Sequence, residues 1–279
     1  HDQTVRLANA GYTPREISDQ IKLPPSLSNF FSNRGYYGTL SHNTKAVYQA
    51  YLGWYDGNPA HLNPLPPEES AKRYVACMGG AEAIMIKARN AYEEGDYRWV
   101  AELLNHLVFA EPNRQEAKLL LARTYDQLGY QAESGIWRNV YLTAAYELRH
   151  GAPEKGLDME KAYELLKRTP PSKFFDSMAV RPDGPGAAGK TMVLNIVFTD
   201  IGEEYVLTLK NAVLRHKASP PDPAGDVTLN ITHDLFVRML TGRAGLKETL
   251  FSDQLDVSGS RTELLAFLML LDRPEGDFN

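Results

Sequence analysis

A single cysteine, Cys77, excludes an intrachain disulfide framework. It lies inside a helical pattern without an identifiable activating neighbour, so it reads as a small packed hydrophobe and not as a nucleophile. An excess of positive charge is also missing. The 30 Lys and Arg stand against 35 Asp and Glu, a net charge of −5, which gives no electrostatic case for a nucleic-acid partner. No apolar run reaches the roughly 20 residues that a membrane-spanning helix takes, and the start of the chain shows no secretory signal pattern. What remains is ordinary for a folded chain. Hydrophobic residues make up 43% and supply sizeable cores, and a length of 279 predicts about two domains.

The densest run of aromatic, glycine and polar residues is 33–60. Arg34, Gly35 and Gly38 open it as a loop able to bend and expose backbone N–H groups. Ser41 reads as an N-cap, with His42 and Asn43 in the first turn of a helix to about Leu52. Val47, Tyr48, Tyr51 and Leu52 fall on one helical stripe. Gly53 and the Asp56, Gly57, Asn58, Pro59 run end the helix. A helix N-terminus beside an arginine and a histidine suits an anion, because unpaired N–H groups and the helix dipole both favour negative charge. Tyrosines at these spacings serve equally well as core or interface, and a first-turn histidine can simply face solvent.

Elsewhere the pattern is helical and then changes. Residues 1–10 read as a helix end stopped by Gly11. Thr13, Pro14 and Glu16 form a capping box with proline at the first helical position, and that short helix stops before Pro24. After the proline-rich connection at 63–67, helices of about 81–94, 97–110, 114–128 and 131–148 fit the periodicity. Turns at Gly95 and Gly129 lie 34 residues apart, the period of tetratricopeptide helix pairs, although an ordinary helical bundle explains the pattern equally well. Two such units are too few to bury their own apolar faces, which predicts contact with other helices or a second subunit. Gly151, Pro153 and Gly156 mark a break. Asp158 is placed to cap a helix through Leu166, which Pro170 and Pro171 end. A loop from Pro182 to Gly189 precedes strands at 191–198, 204–209, 212–214 and 227–231, read as an antiparallel sheet. Thr232 caps a further helix. Ser260 and Glu263 open a last one, apolar all round over 264–271, which predicts burial.

The run Arg34, Gly35, Tyr36, Tyr37, Gly38, then Ser41, His42, Asn43, then residues 51–60, resembles the bacterial alkylsulfatases of the metallo-β-lactamase superfamily. The openings at 1–9 and 11–16, the Leu65–Glu68 and Met78–Gly80 segments and residues 256–260 resemble the same family, so the likeness runs through nearly the whole chain. It implies an α+β protein in three parts: residues 1–66 as the end of a catalytic domain and an active-site-facing connector, 67–150 as a tetratricopeptide-like helical dimerisation domain, and 158–279 as a sterol-carrier-like domain with a sheet and helices. The family's zinc pair depends on an H-x-H-x-D-H motif, which none of the seven histidines here can build. The chain is therefore expected to lack zinc ligands and to depend on a missing N-terminal zinc-binding domain. The resemblance further implies a homodimer, hydrolysis of alkyl sulfate esters of the dodecyl sulfate type to alcohol and sulfate, and a periplasmic or secreted location. It sets His42 as the catalytic candidate, donating a hydrogen bond or protonating the leaving oxygen, with Arg34, Tyr36, Tyr37 and Asn43 binding substrate and Trp54 and Tyr55 packing. A non-catalytic module that binds lipid and carries a helical interaction scaffold is the alternative, since it needs only residues present here.

Overall fold

The computed structural model describes residues 1–153, 160–245 and 252–272. Gly156 and the expected cap Asp158 lie outside them. The chain divides into two compact units, His1–Ala152 and Pro153–Asn279.

The first unit is helical. It begins with α1 (Asp2–Asn9), α2 (Pro14–Gln20), α3 (Pro25–Ser28) and α4 (Leu40–Leu52). The capping box forms as expected: Thr13 accepts from the Glu16 N–H, and the Glu16 carboxylate accepts from the Thr13 N–H at 2.8 Å. Leu7, Ile17 and Tyr48 make a small core where α1, α2 and α4 meet. The cap of α4 is Thr39, not Ser41. Its hydroxyl accepts from the His42 N–H at 2.8 Å, so the helix starts two residues earlier than the serine would set it. The buried residues of α4 are Thr44 and Tyr48, whereas Tyr51 and Leu52 are exposed, the Tyr51 hydroxyl meeting His1 Nε2 at 2.8 Å.

Helices α5 (Pro67–Cys77), α6 (Gly80–Glu93), α7 (Tyr97–Ala110), α8 (Gln115–Gln131) and α9 (Gly135–His150) follow. Their core is Ile84, Met85 and Ala88 against Val100, Leu103, Leu104 and Leu107, with Ala117, Leu120 and Leu121. The 34-residue spacing is not a pair of turns. Gly95 is a turn residue with φ +80°, but Gly129 lies inside α8. A Cβ there would stand 2.9 Å from Leu142 Cδ2, so this glycine serves the close approach of α8 and α9. Cys77 ends α5 in an exposed position, contrary to the packed role expected of it, because the helix stops there and no neighbour covers it.

The second unit contains α10 (Tyr163–Leu166), α11 (Pro171–Ala179) and α12 (Gly184–Ala187), then β1 (Thr191–Phe198), β2 (Glu203–Lys210), β3 (Val213–Ala218) and β4 (Val227–Ile231). It closes with α13 (His233–Leu240), β5 (Leu255–Gly259) and α14 (Arg261–Met269). Pro171 starts a helix instead of ending one, since proline suits the first helical position. The sheet order is β3-β2-β1-β4-β5, and β4 runs parallel to β1, so the sheet is mixed and not antiparallel. The reason is the connection of residues 219–226, which carries the chain from one edge past β2 and β1. Buried Asn195 on β1 fastens it: its amide donates to the Asp222 carbonyl at 3.0 Å and its oxygen accepts from the Asp222 N–H at 2.8 Å. The opposite face of the sheet packs Leu194, Ile196, Phe198, Leu207 and Leu209 against Phe174, Phe175 and Phe236. The last helix is not enclosed. Phe267 is buried, but Leu265, Leu268 and Met269 are exposed, Met269 to 87%. Only one side of α14 meets the sheet.

Asp234 at the start of α13 accepts from the Tyr163 hydroxyl at 2.5 Å and pairs with Lys167 at 2.9 Å. The tyrosine hydrogen bond first, and the lysine second, hold its carboxyl below the ordinary aspartate value. A lowered folded value contributes stability that is present above the unfolded pKa and is lost as pH falls through the folded one. Asp234→Asn is therefore expected to flatten the acid limb of this unit's stability, below about pH 4. Thermal melts of both proteins from pH 7 down to pH 2 check this, and identical acid limbs would refute it.

Candidate substrate-facing site

The site is built where residues 34–43 meet the start of α9. Gly35 and Gly38 let the loop fold back tightly: a Cβ on Gly35 would lie 3.2 Å from the Gly38 carbonyl, and one on Gly38 would lie 3.0 Å from Asn43 Oδ1. Ser134, the N-cap of α9, accepts from the Trp137 N–H and donates to the Tyr37 carbonyl at 2.5 Å. The neighbouring Gly135 N–H donates to the Tyr36 carbonyl at 2.8 Å. Two consecutive carbonyls of the loop are thus held by two consecutive residues of the α9 cap.

Side chains repeat the connection. Arg34 Nε donates to Glu133 at 2.5 Å, and its guanidinium lies 5.4 Å from the centre of the Tyr36 ring. Trp137 Nε1 donates to His42 Nδ1 at 3.1 Å, and Lys45 Nζ stands 5.5 Å from the Trp137 ring centre. The structure gathers Arg34, Tyr36, His42 and Asn43 around this turn. The Tyr37 side chain is 80% exposed, and only its backbone joins the network. Trp54, expected to pack, is also exposed; its partner within reach is the Tyr55 ring.

Sequence reasoning missed Glu133, Ser134 and Trp137. A serine three residues before a tryptophan was the available signal, hidden by placing the turn at Gly129. Among the described residues, no group of three or more His, Cys, Asp or Glu is placed to hold a metal ion. At the turn itself the groups present are polar donors and aromatic faces. Among the described residues, no helix is long and apolar enough to cross a membrane.

Comparison with known proteins defines the class. Residues 13–151 match the family model for alkyl sulfatase dimerisation, and residues 160–279 match that for the alkyl sulfatase C-terminal region. The chain belongs to these two domain families, alkyl sulfatase dimerisation and alkyl sulfatase C-terminal, which together span nearly all of it. A linear primary-alkylsulfatase from Pseudomonas sp is 45% identical over 279 residues, covering 100% of this chain and 41% of that protein. The alkyl/aryl-sulfatase BDS1 of Saccharomyces cerevisiae is 43% identical, over 98% of this chain and 42% of its own length. The solved stereoselective inverting sec-alkylsulfatase Pisa1 from Pseudomonas sp. superposes with a TM-score of 0.86 at 41% identity, covering 100% of this chain and 44% of that one. The chain spans about two fifths of the length of these curated relatives.

Proposed function

We propose that this chain is the dimerisation and substrate-handling portion of an enzyme that hydrolyses alkyl sulfate esters to an alcohol and sulfate. The observation that carries the reading is the docking of residues 34–43 on the α9 cap, which fixes a cation, a histidine and an amide on one polar turn. Arg34 offers planar donors to sulfate oxygens. His42 donates a hydrogen bond from Nε2, the ring nitrogen that Trp137 leaves available, and Asn43 adds an amide. Zinc, bound by residues outside this sequence, would activate the attacking water and stabilise charge on oxygen.

Exposed Ile86, Tyr130, Val140 and Tyr146 in the helical region support self-association into a homodimer. Exposed Leu265, Leu268 and Met269 on α14 give an alkyl chain an apolar surface. The 279-residue chain alone is expected to be a dimer by light scattering at low micromolar concentration, to bind no stoichiometric zinc and to leave dodecyl sulfate intact. A longer protein containing it is expected to bind zinc and release sulfate. Zinc-dependent turnover by the chain alone, or a monomer in both proteins, would count against the reading.

A further inference from the structure

We infer that Trp137 is a positioning residue that selects the tautomer of His42, so that the imidazole presents an N–H and not a lone pair at Nε2. This deepens the proposed function and rests on that reading for its catalytic consequence, while the tautomer itself stands on geometry. An indole nitrogen is only ever a donor. Trp137 Nε1 lies 3.1 Å from His42 Nδ1, so Nδ1 must be the acceptor and carry the lone pair. The ring proton is then on Nε2, since the bond made by one imidazole nitrogen fixes the state of the other.

Both partners are anchored independently of this bond. The backbone of His42 is held by the Thr39 hydroxyl, which accepts its N–H at 2.8 Å. Trp137 sits in the first turn of α9, where its own N–H is capped by Ser134. That serine, with Gly135, holds the carbonyls of Tyr37 and Tyr36. The loop and the imidazole are therefore referenced to one helical turn, and a shift of that turn moves both together. Lys45 stands over the face of the indole, and Arg34 of the same loop is matched by Glu133. The chemical consequence follows from sign. An Nε2 lone pair turned toward a sulfate oxygen is repulsive, whereas an Nε2–H donates to it. The same histidine in the opposite tautomer would oppose substrate at the position where it is needed.

The test uses Trp137→Phe, which keeps an aromatic ring and removes the one N–H. The 279-residue chain is labelled with ¹⁵N-histidine, and His42 is identified by its loss from the spectrum of His42→Ala. Long-range ¹⁵N–¹H correlation is expected to show an unprotonated Nδ1 and a protonated Nε2 in the wild type, and a mixture of both tautomers in Trp137→Phe. In a longer enzyme containing this chain, Trp137→Phe is expected to lower dodecyl sulfate turnover by less than the roughly 10²–10³-fold cost of removing such a donor outright. A protonated Nδ1 in the wild type, or an unchanged ring signature in a folded Trp137→Phe, would overturn the assignment. If that variant does not fold, the wild-type spectrum decides by itself. Full turnover by His42→Ala would instead overturn the catalytic consequence, and with it the sulfate-facing reading, while the spectra still judge the tautomer.

Discussion

Arg34→Ala and His42→Ala, each made in a full-length enzyme containing this chain, are expected to lower dodecyl sulfate turnover by about 10²–10³-fold, the usual cost of removing one donor aimed at developing charge. For Arg34 the loss has two sources. The guanidinium no longer reaches sulfate oxygens, and Glu133, which it pairs at 2.5 Å, is left as an uncompensated negative charge beside an anion site. Arg34→Lys keeps the charge but not the planar fork, so a smaller loss is expected there. His42→Ala leaves the cap of α4 in place, because Thr39 accepts a backbone N–H that alanine retains. Its effect should therefore fall on turnover and not on folding. Kinetics, zinc content and melting temperature measured together check both variants. If both fold, keep their zinc and turn over substrate normally, the site is misassigned.

The largest stability effect is expected from Phe198→Ala in the second unit. The ring is fully buried and lies 5.3 Å from Phe236, 5.7 Å from His233, 6.2 Å from Tyr205 and 6.3 Å from Phe175, centre to centre. Removing it empties the junction of β1, β2, α11 and α13, and large-to-small changes of this kind cost about 3–5 kcal/mol. Amide exchange of β1 and β2, followed by mass spectrometry, reads the loss in this unit directly. Phe198→Leu should restore part of it. A change under about 1 kcal/mol, within the range of ordinary surface substitutions, would mean that the ring is not the packing centre that its burial indicates.

Local chemistry made much of the architecture legible in the sequence. The strands at 191–198 and 227–231 stand where they were read, and Thr13, Thr232 and Ser260 cap the helices that they were read to start. The α+β class and the family likeness of the 34–43 run were readable for the same reason: each depends on short runs of residues. What escaped depends on partners distant in the chain. Gly129 carries no mark distinguishing a turn from a close helix contact until Leu142 is seen against it. The direction of β4 is set by the path of residues 219–226, and the side chain that fastens that path, Asn195, reads locally as a polar interruption of a strand. Strand β5 was missed because its alternation is short and its stability comes from β4. The same holds for the site. Arg34 and His42 were visible as chemistry, but their partners Glu133 and Trp137 lie 99 and 95 residues away.

The path of residues 219–226 also divides the strand pairings into local and distant ones. Strands β1, β2 and β3 are consecutive neighbours, so their pairing needs only short loops and can form early. The parallel pair of β1 and β4 needs the intervening chain to cross two strands, and Asn195 holds that crossing at Asp222. Strand β5 pairs with β4 alone in the sheet, so its place depends on that pair. Without β4, that side of β1 would be an unpaired row of backbone donors and acceptors, open to another chain. Two of the four strand pairings thus hang on one crossing, which Asn195 holds at Asp222 and Asp226 holds at Val193.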